Sequence, residues 1–430
     1  MTVITDALGH PLSGANAAAA ELFEQACHEL RCLVDDPLAT AQKAIALAPE
    51  FTMAHALVGW LNLLGTEPGG LAPARAVLDS TRLLAADERE AMHLKAIEHV
   101  VEGRWHAAGL VLEDLSIRWP HDALALQAGH QIDFFVGHSR MLRDRIARAA
   151  SSWHQGMPGY HAVLGMYAFG LEECGEYARA EALGRRAVEL ESRDSWAWHA
   201  VAHVMEMQNR RRDGIAWLGS NAPTWSAGSF LGVHNWWHLA LFHLGLDQVD
   251  EVMKIVDARV LGPASPLALE MVDGSAMLWR LALRGIDVGD RWQALADRWT
   301  ASMAQCERSQ YAFNDLHAML AFVAAGRDGE AQGLLAKQEA ALASSGAGDD
   351  NVGFLRDVGF DATRAIHAFG AGRYDEAVQR LRPLRSHAAR FGGSHAQRDL
   401  IDQTLIAAAD RAGQSLLADA LRRERAERVQ

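Results

Sequence analysis

One punctuation mark recurs along this chain and constrains it more than any other feature. It is a glycine or asparagine, then an aromatic or charged residue, then alanine: "GRWHAA" from Gly103, "GEYARA" from Gly175, "GRDGEA" from Gly326 and "GRYDEA" from Gly372. With the weaker members Gly65, Gly137, Asn209, Gly245, Gly285 and Gly413, the intervals are 38, 34, 38, 34, 36, 40, 41, 46 and 41 residues. Between these turns Ala, Leu, Arg and Glu recur at three-and-four spacing with few β-branched runs, which is the pattern of helices. Each interval holds two helices, and such pairs bury their apolar faces only by stacking on the next pair.

An interval near 34 with a helix on each side of the turn is the signature of tetratricopeptide repeats. With Asn209 at the turn, Trp198 takes the large aromatic position, Ala202 the small crossing position and Gly214 the small position of the second helix. The unit containing "HNWWH" is better set with Asp247 at the turn, so that Trp236 becomes the core aromatic and Ala240 the small residue. The expected fold is therefore all-α, a right-handed superhelix of tetratricopeptide-type helix pairs (an α-solenoid). It is read as a single array over residues 1–430, with N-terminal helices in 1–65, the best-formed repeats in 66–285 and degenerate repeats in 286–430. "EAALASSGAGDDNVG" (339–353) reads as a loop.

Composition excludes several classes of function. With 41 basic and 54 acidic side chains the formal charge is −13, which disfavours nucleic acid and anionic membrane as partners. Cys27, Cys32, Cys174 and Cys306 form no CxxC pair and read as free thiols of a reducing compartment. No leader peptide and no apolar run of ~18 residues is evident, so a cytoplasmic protein is expected. No phosphate-binding glycine loop, dinucleotide fingerprint or nucleophile elbow is present, and no cofactor is assigned.

What does stand out is the local chemistry. Of thirteen tryptophans, Trp196, Trp198, Trp217, Trp225, Trp236 and Trp237 fall in the window that also holds "WHAVAHVMEM" and "HNWWH". Positions 5, 9 and 12 of a repeat's first helix lie within roughly 60° of one another and should face the inner wall. In the unit turning at Asn209 these are His199, His203 and Glu206; two units earlier His130 and Asp133 take the last two slots, and Phe169 and Glu172 take them in between. His93 falls at slot 5 further back. In the next unit His234 lies near the wall, Trp237 at slot 5 and His238 on the flank.

Three readings compete. Two HxxxH pairs with Glu206 could ligate a metal, although no HExxH is present. Alternatively the same groups form a metal-free acid/base or ligand site, with Glu206 or Asp133 orienting a histidine. In the third, the histidines are hydrogen-bonding core and the tryptophans are repeat packing. "RFGGSHAQRDL" (390–400) adds a helix start with Ser394 as cap, where Arg398 could hold an anion.

The segments "GMYAFGLEE", "WHAVAHVMEM", "HNWWHLAL", "FNDLHAML", "RDVGF" and "GGSHAQRD" run in order from about residue 165 to 400. In these the chain resembles the tetratricopeptide-repeat protein 38 family. The resemblance implies a stand-alone cytosolic repeat protein with no settled activity. It extends to His199, His203, Glu206, His234, Asn235, His238, Arg398 and Asp399, and less closely to His130. The family pattern carries asparagine where His395 stands and tyrosine where Trp236 stands, and it lacks His243, so those three are not carried over.

The resulting expectation is a small-molecule or peptide site in a concave groove. His199 or His203 would act as acid/base, Glu206 as orienter and His130 as a further catalytic group. Asp133, His234, Asn235, Trp237, His238 and Arg398 would contact the ligand. A scaffold without catalysis and a metal-dependent hydrolase are the alternatives, and homo-oligomerisation is left open.

Overall fold

The computed structural model describes residues 3–305, 308–344 and 348–427; Cys306 and residues 345–347 of the 339–353 segment lie outside them. Helices follow one another from Ala17–Cys32 to Ser415–Glu427. Among the described residues extended pairing is limited to the isolated bridges Thr5–Pro11 and Val34–Ser229. The all-α expectation holds, and consecutive helices joined by short turns pack on each other, as Tyr160–Glu172 does on Tyr177–Leu190 and Phe360–Gly370 on Tyr374–Leu384. Of the 339–353 segment, 339–343 continues the helix Asp328–Ala343 and Asp350–Phe354 forms a short helix of its own.

The turns sit where the repeat demands them. Gly103, Gly137, Gly175, Asn209, Gly285, Gly326, Gly372 and Gly413 all have left-handed φ. One weaker position moves, Thr66 (φ 62°) replacing Gly65, and Asp247 (φ 57°) takes the turn of the unit containing "HNWWH" as expected. Asn and Asp tolerate this region better than other residues with a Cβ, because their short side chains can bond locally.

The helices group into two compact units. The first comprises residues up to Phe134, His138–Val204 and Ser220–Asn235; the second comprises Phe135–Gly137, Met205–Gly219 and the chain from Trp236 onward.

Within the first unit, successive pairs are tied by a repeated polar device. Asp122 caps the start of the helix Ala123–Phe135 by accepting from the Ala125 amide (2.9 Å). The same carboxylate receives Arg89 (2.7 Å) and His93 (3.0 Å) from the pair before. Asp194 does likewise, accepting from the Ala197 amide (2.9 Å) and from His161 of the preceding pair (2.7 Å). Each aspartate thus satisfies orphan amides at a helix start and a buried side chain together.

In the second unit, Ser394 and Gln397 form a reciprocal capping box at the start of His395–Arg411. Trp279 donates to Thr404 Oγ1 (2.9 Å). Asp399 receives both Nε and Nη2 of Arg425 at 2.7 Å, and this pairing holds the carboxyl below its usual range despite burial.

Candidate functional site

The helix Ser195–Met207 places His199 and His203 one turn apart on one face. His234, in the first turn of Gly232–Gly245, meets them from the neighbouring pair. His234 Nε2 and His199 Nε2 are 3.0 Å apart, and the rings of His199 and His203 are 4.4 Å apart in an edge contact. Each of the three residues offers a ring nitrogen, and these lie within 4.8 Å of one another. All three are buried, His203 completely.

Local packing fixes the rings. Phe169 stacks on His199 (5.4 Å, 25° between planes) and meets His203 edge-on (5.2 Å). Trp196 packs against His199 at 4.9 Å. The approach of Gly232–Gly245 is set by hydrogen bonds: Asn235 Nδ2 donates to Ser195 O (3.2 Å), Ser229 Oγ to Ser195 Oγ (2.8 Å), and Ser195 Oγ to Trp225 O (3.0 Å). Asn235 is thus a positioning residue within the first unit.

The carboxylate that faces this cluster is Glu172. Its Oε2 lies 3.5 Å from His203 Nδ1, both side chains being fully enclosed. Glu173 offers a further oxygen, and Glu172, Glu173 and His203 each contribute an atom to a second group lying within 4.8 Å. His203 therefore belongs to two groupings at once, one with the imidazoles of His199 and His234 and one with the carboxylates of Glu172 and Glu173.

Several expected site residues have partners outside the histidine cluster. Glu206, expected to orient a histidine, accepts instead from Arg211 Nη1 (2.8 Å) in the second unit. Asp133 is bound by Arg145 through Nε (2.7 Å) and Nη2 (3.0 Å) in a buried ion pair, so its carboxylate serves packing of the helix Ala123–Phe135. His130 is buried on the wall of a cavity of about 20 Å³ that Trp196, Arg31 and Gln127 also line. That is room for a single water molecule. Burial, helped by the nearby Arg145 charge, pulls the His130 imidazole down to about 3, so it is neutral near pH 7.

The two tryptophans exchange their expected parts. Trp237, assigned to a stacking surface, is completely buried, with the Arg280 guanidinium 5.4 Å from its ring. Trp236, assigned to the core, is only half-buried and lies 5.0 Å from the Arg259 guanidinium. A slip of one residue turns the helix by ~100°, enough to swap a core side chain for a flanking one. Trp198 is buried as expected and donates to Ser192 O (2.9 Å). His238, one turn beyond His234, is fully buried in the second unit. Arg398 donates to Gly393 O within its own turn, which commits one guanidinium nitrogen to the cap.

Glu172 and Glu173 were missing from the sequence-derived site, although the repeat register places Glu172 on the inner wall. Their signal is the run of two acids ending a helix otherwise rich in apolar residues, "AFGLEE". A further, partly buried grouping, His28, Cys32 and His161, has only an HxxxC spacing to announce it.

No family model matches the chain. Among solved structures, similarity extends to a human IFIT1 dimer with m7Gppp-AAAA: 12% identity, TM-score 0.42, covering 96% of this chain and 94% of that one. Yeast Tom70 matches at 8% identity and TM-score 0.41, covering 88% and 85%. A chain of the APC/C hetero-tetramer Cut9-Hcn1 matches at 12% identity and TM-score 0.38 over 82% of this chain, which spans only 63% of that chain's length. Likeness at these identities and scores does not extend to function. Among the described residues no helix is long and apolar enough to cross a membrane.

Proposed function

We propose that the first unit is built around a buried centre for a divalent transition-metal ion, with His199, His203 and His234 as nitrogen ligands and Glu172 as the adjoining carboxylate. The observation that carries this reading is the convergence of three buried imidazoles on one small volume. Nitrogens ~2.0–2.1 Å from a tetrahedral ion stand about 3.3 Å apart; the His199–His234 separation of 3.0 Å is close to that edge. Imidazole with carboxylate suits zinc and its neighbours. An enclosed set of this kind resembles a structural or storage site more than an open catalytic one, which keeps a position for water. The metal-free acid/base reading needs a cavity for substrate beside the imidazoles, and the packing of Phe169 and Trp196 leaves little room for one. The helix-pair stack also supports a scaffold role, since each pair adds surface for a partner chain.

Equilibrium dialysis against Zn²⁺, followed by elemental analysis, tests the centre. The wild-type chain is expected to retain one more ion per chain than His203→Gln, with the variant's helical circular dichroism unchanged. Equal stoichiometry in two folded proteins would sink the proposal.

A further inference from the structure

A second cluster in the first unit carries chemistry of its own, independent of the centre above. The helix Ala17–Cys32 presents His28 and Cys32 one turn apart, and His161 approaches from the first turn of Tyr160–Glu172. Cys32 Sγ lies 3.8 Å from His28 Nε2. The three side chains each offer an atom within 4.8 Å of the others. Glu191 approaches His28 from the exposed side, its Oε2 3.8 Å from His28 Nε2.

His161 is the informative member. Its Nδ1 sits 2.7 Å from the Asp194 carboxylate, to which it can donate, and Nε2 is the ring's remaining polar atom. That Nε2 is buried and makes no hydrogen bond within the described chain. A carboxylate that holds one nitrogen of a histidine, beside a thiol and another imidazole, is the arrangement that orients metal-binding histidines. The alternative, a nucleophilic cysteine assisted by His161 and Asp194, fails on electrostatics. Cys32 is completely buried and ends its helix, where the macrodipole opposes a thiolate. A bare thiolate is disfavoured there, whereas a divalent cation would neutralise thiolate and carboxylate together.

We infer that His28, Cys32 and His161, with Glu191 at the exposed side, form a metal site for zinc or a similar thiophilic divalent cation. Sulfur and nitrogen bound at ~2.3 and ~2.0 Å to a tetrahedral ion are about 3.5 Å apart, against 3.8 Å between Cys32 and His28. His28, nearly half exposed, leaves a route for the ion to enter. On binding, the Cys32 S–H bond breaks, its proton passes to solvent, and the sulfur lone pair forms the metal bond with no change of oxidation state.

Titration of the full chain with Co²⁺ tests the site, because a cobalt–thiolate bond adds a near-ultraviolet charge-transfer band that imidazole ligands do not give. The band is expected in the wild type and in His203→Gln, which separates this site from the first. It should vanish in Cys32→Ser and need at least ~tenfold more cobalt in His28→Ala, a variant of a partly exposed side chain that spares the core. Absence of the band in the folded wild type, or an unchanged cobalt midpoint in His28→Ala, would overturn the inference.

Discussion

Asp133 and Arg145 illustrate how a single buried charge decides what its neighbours are for. Each is almost wholly enclosed, and the guanidinium also donates to Gly109 O (3.1 Å). Removing one partner strands the other, so Asp133→Leu is expected to cost about 3–5 kcal/mol in urea unfolding. The double variant Asp133→Leu with Arg145→Leu should regain most of that loss; additive losses would contradict a paired role. His317 makes the complementary case for an uncharged group. Its Nδ1 donates to Phe313 O (2.9 Å), and burial, with Arg280 nearby, pulls its imidazole down to about 4. The folded value lies below the unfolded one, so the unfolded chain binds the extra proton as pH falls. Stability contributed by neutral His317 is therefore full above about pH 6.5 and is lost towards pH 4. Unfolding free energies from denaturant titrations across that window should fall less steeply in His317→Gln, by up to about 1.4 kcal/mol per pH unit; an identical slope would count against it.

At the scale of the helix, close crossings set the tolerance to substitution. A Cβ on Gly170 would stand 2.4 Å from Leu142 O, a backbone atom that cannot step aside, whereas one on Gly333 meets nothing within 4 Å. Gly170→Ala should lower stability by about 1–3 kcal/mol, while Gly333→Ala in the exposed face of Asp328–Ala343 should raise it by up to ~1 kcal/mol. Thermal melts of the two variants shifting the same way would refute that contrast. This is also the scale at which the sequence was most legible. Turn positions such as Asn209 and Asp247 could be placed because few residues accept a left-handed backbone. The pairing of His199 with His203 followed from helical spacing alone. Trp236 and Trp237 were assigned the wrong way round, because adjacent residues lie ~100° apart on a helix and a one-residue register error exchanges their faces. Glu172 was placed on the wall but not joined to His203, since repeat spacing says which face a side chain takes and not which neighbour it meets. The His28–Cys32–His161 grouping was illegible for a related reason: its members come from helices that only the tertiary packing brings together.

For the molecule as a whole, the two compact units should answer differently to metal. Both proposed sites draw their ligands from the first unit. Zn²⁺ is therefore expected to slow amide exchange in Tyr160–Glu172 and in residues 195–204, and to leave Tyr374–Leu384 and His395–Arg411 unchanged. Protection spread evenly over the chain would argue against localised binding.

The aspartates that cap one helix pair while gripping the pair before it, Asp122 and Asp194, impose a direction on assembly. A newly made chain presents the residues of each earlier pair first, so Arg89 and His93 are in place before Asp122 arrives, and His161 before Asp194. The start of every such helix then finds its anchor already built. At these two junctions the later pair therefore has a polar anchor waiting in the earlier one, whichever pair of the array nucleates first.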